Sequence, residues 1–429
     1  MKDLIHSSLL VAGTRVAGIV LQSLLVLLLA RALLVSQMGV FALGYAGLGF
    51  ARILGPVGTD QVTMRLTAAT ENNRHDRRLQ GHLNTSLFLV TALNVLIAVA
   101  VTVVAFWTKP WQSGELGLFS TSLLLVACAI PAFAIIGLLT AQLRGFDYNV
   151  LAQIPDSVVL QLLFGMGLVF FQMRGELDLV SAFLSLALAA WIVAAVYVLI
   201  RFRIAIDLTA TPTWIAARML LTEGREALYA LTVTALAARA PLLFSAPLLG
   251  PAATAVLGIA TRFGTLPTIT TSSVTATFSP RFAALVYTEN RQDLSRALSL
   301  SSVLAAAPAL ICLAAIGLGA SFLIRVILPV AYTQAYLPML VICAAAAINA
   351  AFGVASTHLF MAGESHVVRN FSLAQLIAIC MLSPVLGLPF GPLGFALAIL
   401  AGTIVRDFGL AVWASRQFRI ELPPLGIGR

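Results

Sequence analysis

Five arginines lie within long apolar stretches of the chain, where charged residues are rare: Arg15, Arg52, Arg239, Arg262 and Arg406. An arginine near the centre of a bilayer costs about 2.5–3.5 kcal/mol on insertion scales, so it normally faces a protein interior or a watery cavity. The long stem of Arg15 could instead reach the interface. Because the planar guanidinium donates paired hydrogen bonds to phosphate, this surplus of buried arginine predicts an anionic ligand.

Acidic residues are scarcer in the same stretches, where we find Asp60, Asp156 and Asp407. Successive residues of a helix do not face one another, so Arg406 and Asp407 need not form a pair. Intramembrane carboxylates often carry protons or ions through transporters. We therefore predict that these three residues are candidates for coupling transport to protons or sodium, and that no metal ion is bound.

Hydroxyl side chains occupy ten of the twenty positions from Thr261 to Pro280. Several recur at spacings of three and four residues, the period of one helix face: Thr261, Thr265, Thr268 and Ser272. Such a face offers hydrogen bonds to a sugar, although Ser and Thr also pack between membrane helices. The neighbouring Arg262 favours the first interpretation, in which the hydroxyl groups line a cavity.

Apolar stretches of about 20 residues must position these side chains, since a helix of that length crosses a bilayer core. The chain is 60% hydrophobic and 10% charged, which excludes an ordinary soluble fold. We predict an all-α polytopic membrane protein whose first apolar stretch is retained as a helix. The twelve predicted spans are residues 8–30, 38–62, 83–107, 118–141, 150–173, 179–200, 226–248, 252–281, 299–322, 336–360, 370–388 and 392–414.

The basic residues of the connections indicate the orientation. Of 26 Lys and Arg residues, 17 fall on one side of the predicted membrane and four on the other, the remaining five being intramembrane. Because positive charge is retained on the cytoplasmic side, both termini are expected to be cytoplasmic. This asymmetry also accounts for the net charge of +9 without a nucleic-acid partner. The expected location is the bacterial cytoplasmic (inner) membrane.

Two polar segments suggest an internal repeat. The Arg and Asp residues of 70–76 (TENNRHD) recur 217 positions later in 288–293 (TENRQD), although coincidence in short polar loops is an alternative. We predict an N-terminal six-helix bundle at 1–205 and a C-terminal six-helix bundle with a short cytoplasmic tail at 225–429. Between them, residues 206–224 are predicted to form a cytoplasmic, interfacial linker around Trp214.

Several chemistries are not expected. The chain contains only two lysines, Lys2 and Lys109, so it cannot carry the P-loop motif of an ATPase. No H-E-x-x-H motif occurs, and the four cysteines lie in apolar segments without a C-x-x-C pair, which argues against zinc and disulfides. We expect no cofactor and no enzymatic activity.

Three segments carry a resemblance to a known family: LLVLLLARAL at 24–33, MGVFALGYA at 38–46 and LGPVGTDQ at 54–61. The chain resembles the polysaccharide-exporter branch of the multidrug/oligosaccharidyl-lipid/polysaccharide (MOP) superfamily, which includes Wzx-type flippases. The resemblance implies two six-helix bundles around a central cationic cavity that opens alternately to either side. It also implies transfer of an undecaprenyl-diphosphate-linked oligosaccharide from the inner to the outer leaflet.

Lipid II flippases of this superfamily use arginines of the first, second and eighth helices, and Arg15, Arg52 and Arg262 occupy matching helices. Those flippases usually carry more than the twelve helices predicted here, which favours the Wzx-type branch. We expect Arg15, Arg52, Arg239 and Arg262 to bind the diphosphate and the hydroxyl groups near Thr265 to contact sugar. Expected partners are the lipid-linked oligosaccharide, membrane lipids, and polysaccharide polymerase and chain-length machinery.

Two alternatives stay open. A cation-coupled drug exporter of the same superfamily would need acidic cavity residues, whereas the intramembrane charge here is mainly positive. A membrane glycosyltransferase or polymerase using the same lipid carrier would need paired carboxylates in an extramembrane loop. The longest connection, 201–226, contains Asp207, Glu223 and Glu226 without such a pair.

Overall fold

The computed structural model describes residues 2–69, 77–108, 115–203, 211–287, 291–362 and 364–418. These ranges are almost entirely helical. The helices are α1 (Lys2–Ala32), α2 (Val35–Leu54), α3 (Thr59–Ala69), α4 (Arg77–Thr108), α5 (Glu115–Gly145), α6 (Asn149–Ile154), α7 (Leu160–Arg174), α8 (Leu179–Arg203), α9 (Trp214–Leu249), α10 (Pro251–Gly264), α11 (Thr268–Tyr287), α12 (Arg291–Ile327), α13 (Tyr336–Phe352), α14 (Val354–Met361), α15 (Ser365–Phe390), α16 (Pro392–Thr403) and α17 (Gly409–Phe418).

Eleven of the described segments are long and apolar enough to cross a membrane. They correspond to all of the predicted spans except the eighth, which the structure divides into α10 and α11. Two of the eleven contain a π-turn, at Pro155–Val159 between α6 and α7 and at Ile404–Phe408 between α16 and α17. The prediction of an all-α polytopic membrane protein is confirmed.

The chain divides into two compact helical units, Met1–Ala235 and Leu236–Arg429. The division falls within α9, a continuous helix that contains both the end of the predicted linker and the seventh span. Trp214 and Ile215 at the start of α9 are exposed, while Leu220 is buried. The interfacial position of this segment stays a prediction. The polar segment 70–76 and residues 288–290 of its proposed repeat lie outside the described residues.

In the first unit, α5 is the central helix and packs against α2, α3, α4 and α8. Its buried residues are mostly small or aliphatic, as is usual where membrane helices approach closely. A Cβ atom at Gly137 of α5 would lie 2.3 Å from the carbonyl oxygen of Arg52. The backbones of α5 and α2 therefore touch beside Arg52, and this contact fixes the position of that arginine.

In the second unit, α13 is the central helix and packs against α10, α12 and α16. Alanines of α12 and α13 form a tightly packed seam between these helices: Ala305, Ala309, Ala347 and Ala350. Small side chains allow the close backbone approach that stabilises helix pairs in lipid. The seam holds α13 in place and with it Asn349, whose side chain is part of the site described below.

Both units contain an interrupted helix where the sequence predicts a continuous one. The predicted span 38–62 ends at Leu54, and the chain turns through Gly58, which has a φ of 74°, before α3 begins. The predicted span 252–281 breaks between α10 and α11 at residues 265–267. Each break contains a proline, Pro56 or Pro267, which has no N–H for the helical ladder. The predictions of continuous helices at these positions were wrong.

Candidate functional site

Arg52 and Asp156, which are 104 residues apart in the sequence, form a hydrogen-bonded ion pair in the first unit. The guanidinium Nη2 of Arg52 donates to the Oδ2 of Asp156. The side chain of Asp156 is only 3% exposed, whereas that of Arg52 is 36% exposed. The sequence predicts Arg52 as a phosphate ligand and Asp156 as a coupling carboxylate, without a contact between them. The structure brings these two candidates together.

Local backbone geometry places both partners. Pro155 cannot donate a backbone hydrogen bond, and the chain here forms the π-turn that carries Asp156. On the preceding helix α6, the carbonyl of Ala152 accepts a hydrogen bond from the Tyr197 hydroxyl of α8 at 2.6 Å. Arg52 lies in the last turn of α2, where the partial negative charge of the helix end favours a cation.

A second arginine, Arg144, joins this region from the last turn of α5. Its Nη2 donates to Gln153 Oε1 at 2.8 Å, and Gln153 in turn donates to the Ser157 hydroxyl. Arg144 is close enough to interact electrostatically with Arg52, Asp156 and the exposed Arg15 of α1. We call Arg15, Arg52, Arg144 and Asp156 the first-unit charge cluster.

Sequence reasoning missed Arg144 as a member of this cluster because it counted the residue among the cytoplasmic loop charges. An arginine at the end of an apolar helix fits the positive-inside pattern whether it contacts water or a neighbouring helix. No motif around Arg144 distinguishes these two cases. The same counting placed Arg201 in a loop, yet its side chain is buried and donates to Asn84 Oδ1 at 2.6 Å.

In the second unit, the buried carboxylate is Asp407, which lies in the π-turn between α16 and α17. It is 1% exposed, and its Oδ2 accepts a hydrogen bond from Asn349 Nδ2 at 2.8 Å. Its Oδ1 lies 3.7 Å from Nη1 of Arg406. Neighbours in sequence meet here because a π-turn has more residues per turn, so successive side chains diverge by a smaller angle. The sequence did not predict this contact, because successive residues of an ordinary helix do not face one another.

The two other candidate binding arginines of the second unit, Arg239 in α9 and Arg262 in α10, are both half-buried. Arg262 lies in the last turn of α10, directly before the break, just as Arg52 lies in the last turn of α2. The two interrupted helices thus share one arrangement: a helix stops and an arginine occupies its final turn. The roles of Arg15, Arg52, Arg239 and Arg262 in substrate binding stay predictions.

The break changes the predicted hydroxyl face. Thr261 and Thr265 belong to α10 and its end, whereas Thr268 and Ser272 belong to α11, so these residues do not form one helical stripe. Each hydroxyl donates to a backbone carbonyl three or four residues earlier, at distances of 2.7–2.9 Å. Their donors are therefore used, and only acceptor lone pairs remain available for a ligand. Thr265 and Thr268 are exposed beside the break.

Asp60, the third candidate for ion coupling, lies in the first turn of α3, outside the described spans. Its Oδ2 accepts a hydrogen bond from Gln61 Nε2 at 3.0 Å. Burial raises the pKa of Asp60, and the hydrogen bonds from Gln61 partly oppose that rise. The predicted span 38–62 places Asp60 within the second membrane helix, and this placement was wrong, because that helix stops at Leu54.

The fold is that of MOP-superfamily transporters. The lipid II flippase MurJ in an inward closed conformation has a TM-score of 0.73 and 12% identity, covering 96% of this chain and 87% of that one. An inward-facing multidrug resistance MATE family transporter has a TM-score of 0.71 and 15% identity, with 92% and 94% covered. A MOP superfamily transporter from Pyrococcus furiosus has a TM-score of 0.62 and 14% identity, with 96% and 95% covered.

No protein-family model and no curated protein sequence matches the chain. At 12–15% identity the likeness to these solved structures shows the fold alone. The solved neighbours are described as transporters and a lipid II flippase. The expectation that this chain is not an enzyme stays a prediction. Together with the apolar helices, these neighbours support a multi-pass membrane protein with a transporter fold.

Proposed function

We propose that this protein is a flippase for a polyprenyl-diphosphate-linked oligosaccharide, a precursor of O-antigen, capsule or exopolysaccharide. One observation carries the proposal: arginine outnumbers carboxylate in the membrane helices. The predicted spans contain five arginines against Asp60, Asp156 and Asp407, and arginine stays in excess when Arg262 and Asp60, which lie outside the eleven described spans, are both left out. Positive charge held in such helices is costly unless an anionic group, of the protein or of a ligand, shares the site.

A diphosphate fits this surplus because each phosphate accepts paired hydrogen bonds from a guanidinium. In the first unit we assign phosphate binding to Arg15 and Arg52, and in the second unit to Arg239 and Arg262. The exposed hydroxyl groups beside Arg262 would accept hydrogen bonds from sugar. No covalent bond changes in this process, which moves the cargo from the inner to the outer leaflet by alternating access.

The rival function, cation-coupled export of a drug, is suggested by the MATE family neighbours. An organic cation would require free carboxylates in the membrane helices. Here Asp156 is bonded to Arg52, and Asp407 to Asn349 with Arg406 nearby. The charge surplus therefore favours an anionic cargo. We place the protein in the bacterial cytoplasmic membrane, with polysaccharide polymerase and chain-length machinery as partners.

Arg262→Ala should lower translocation of the lipid-linked oligosaccharide about ten- to hundredfold, the effect of losing one hydrogen bond to a charged group. The cargo should accumulate in the inner leaflet while the protein still inserts, and Arg239→Ala should act in the same direction. Leaflet distribution in cells or proteoliposomes is the measurement. Arg174→Ala is the matched control, since this exposed guanidinium lies over the Phe170 ring at the end of α7. Undiminished translocation by both Arg262→Ala and Arg239→Ala would refute the proposal.

Mass spectrometry of lipids that copurify with the full chain in mild detergent separates the two candidate functions. We expect an enriched polyprenyl-diphosphate glycan, which Arg262→Ala should reduce and Arg174→Ala should retain. Enrichment of a cationic amphiphile instead would support the drug exporter and overturn the flippase. The mass of the glycan would also give its composition in classes of monosaccharide.

A further inference from the structure

The Arg52 side chain has one face toward a buried carboxylate and another toward the surface of its unit. A guanidinium carries five N–H donors, and the hydrogen bond to Asp156 uses Nη2. Because Arg52 is 36% exposed while Asp156 is 3% exposed, a ligand reaches the arginine without first reaching the aspartate. An anion bound at Arg52 would therefore contact the same guanidinium as Asp156 does.

The ionised form of Asp156 depends on Arg52. Its Oδ1 is buried and has no hydrogen-bond partner among the described residues, and its Oδ2 is bonded to Arg52. A buried carboxylate that loses its counter-charge is costly, and taking up a proton is the ordinary way to remove that cost. Whether Asp156 is charged therefore depends on whether Arg52 provides its counter-charge.

Few other charged or titratable groups face Asp156. Its π-turn packs against α1, α6, α7 and α8. Arg15 comes from α1 and Tyr197 from α8, while α6 carries no titratable residue and α7 only Arg174 at its far end. Beyond these helices, α2 supplies Arg52 and Tyr45, and α5 supplies Arg144. Asp156 is the one carboxylate among these groups.

We propose that binding of a phosphate-type anion at Arg52 is linked to protonation of Asp156. The anion takes part of the positive charge that stabilises the carboxylate, and the carboxylate then accepts one proton from the aqueous phase to become a neutral carboxylic acid. Linkage is reciprocal, so the affinity for the anion rises as the pH falls. This inference rests on the proposed function only for the phosphate chemistry of its ligand.

The linkage differs from a purely structural role for the pair. If Asp156 only orients Arg52, removing its charge loosens the arginine and weakens anion binding. If Asp156 competes for Arg52, removing its charge strengthens anion binding. Asp156→Asn separates these cases, because the amide resembles the protonated acid in shape and is always neutral.

The test uses the full chain in detergent with inorganic sulfate as the probe, a tetrahedral dianion that does not titrate at neutral or mildly acidic pH. Wild-type protein should bind sulfate about tenfold more tightly at about pH 5 than at about pH 8, within the usual range of coupling between sites. Asp156→Asn should bind at pH 8 as tightly as the wild type does at pH 5, and its affinity should no longer depend on pH.

Asp147→Asn is the matched control, because it makes the same chemical change in the same unit at an exposed turn. Its φ of 63° suits asparagine as well as aspartate. This control should keep the pH dependence of the wild type. Weaker sulfate binding by Asp156→Asn, or an unchanged pH dependence in that variant, would overturn the linkage.

A second measurement needs no variant at all. Calorimetry of sulfate binding to the wild type, in buffers of different ionisation enthalpy, counts the protons taken up. A tenfold change in affinity limits the uptake to about half a proton per sulfate, at the pH between about 5 and about 8 where the affinity changes most steeply. Zero uptake across this range would refute the proposal. Sulfate binding does not involve lipid translocation, so the linkage and the flippase function can fail separately. A protein that shows linkage but moves no glycolipid would refute only the function.

Discussion

Arg52→Ala is expected to lower the free energy of unfolding by about 3 kcal/mol, the lower end of the range for breaking a buried ion pair. The substitution removes the hydrogen-bond donor of Asp156 Oδ2 and leaves a carboxylate that is 3% exposed without that partner. The lower end applies because Arg52 itself is partly exposed. The midpoint of thermal unfolding in detergent should fall accordingly.

When it is added to the Arg52→Ala variant, Asp156→Asn should restore most of the lost stability, because a neutral amide needs no counter-charge. A double-mutant cycle over these two residues measures their coupling free energy directly. A double variant as unstable as Arg52→Ala alone would show that the arginine stabilises the unit by packing and not through the ion pair.

Gly137→Ala is expected to destabilise the protein by about 1–3 kcal/mol, the usual cost of forcing an extra group into a packed interior. The new Cβ would lie 2.3 Å from the carbonyl oxygen of Arg52, a backbone atom that cannot move without shifting α2. The shift should also displace the Arg52 guanidinium from Asp156. Thermal unfolding reports the first effect and the pH dependence of sulfate binding the second.

Gly47→Ala is the matched control, since it adds the same methyl group in the middle of α2. A Cβ atom at Gly47 has no atom within 4 Å apart from its own helix and neighbours. Alanine favours a helix over glycine by about 1 kcal/mol, so this variant should be unchanged or slightly more stable. If Gly137→Ala and Gly47→Ala have the same stability, the close contact between α5 and α2 does not limit the stability of the protein.

The spans were predictable from sequence, and the interruptions within them were not. Hydropathy reports whether a stretch of about 20 residues is apolar, and that property decides membrane insertion. It does not report where a helix stops, which at residues 55–58 depends on Pro56 and the left-handed backbone of Gly58. For this reason Asp60 and the hydroxyl residues were assigned to helices that the structure divides.

The sequence identified the charged residues of the membrane helices as functional candidates, but it did not predict which groups they contact. The cost of intramembrane charge marked Arg52 and Asp156 separately. Their contact depends on the tertiary arrangement that brings the end of α2 beside the π-turn, because the two residues are 104 positions apart in the chain. Arg144 escaped notice because a basic residue at a helix end looks the same in sequence whether it is solvated or hydrogen-bonded to Gln153.

The hydroxyl groups beside Arg262 already donate hydrogen bonds to backbone carbonyls, as seen for Thr265 and Thr268. They can therefore only accept hydrogen bonds, whereas the arginine can only donate them. A phosphate offers acceptors and suits the arginine, while a sugar hydroxyl offers a donor and suits the threonines. An elongated molecule with a phosphate at one end and hydroxyl groups at the other would bind in a single direction. Binding in one orientation would let the second unit distinguish the phosphate end of such a molecule from its hydroxyl end without recognising any particular sugar.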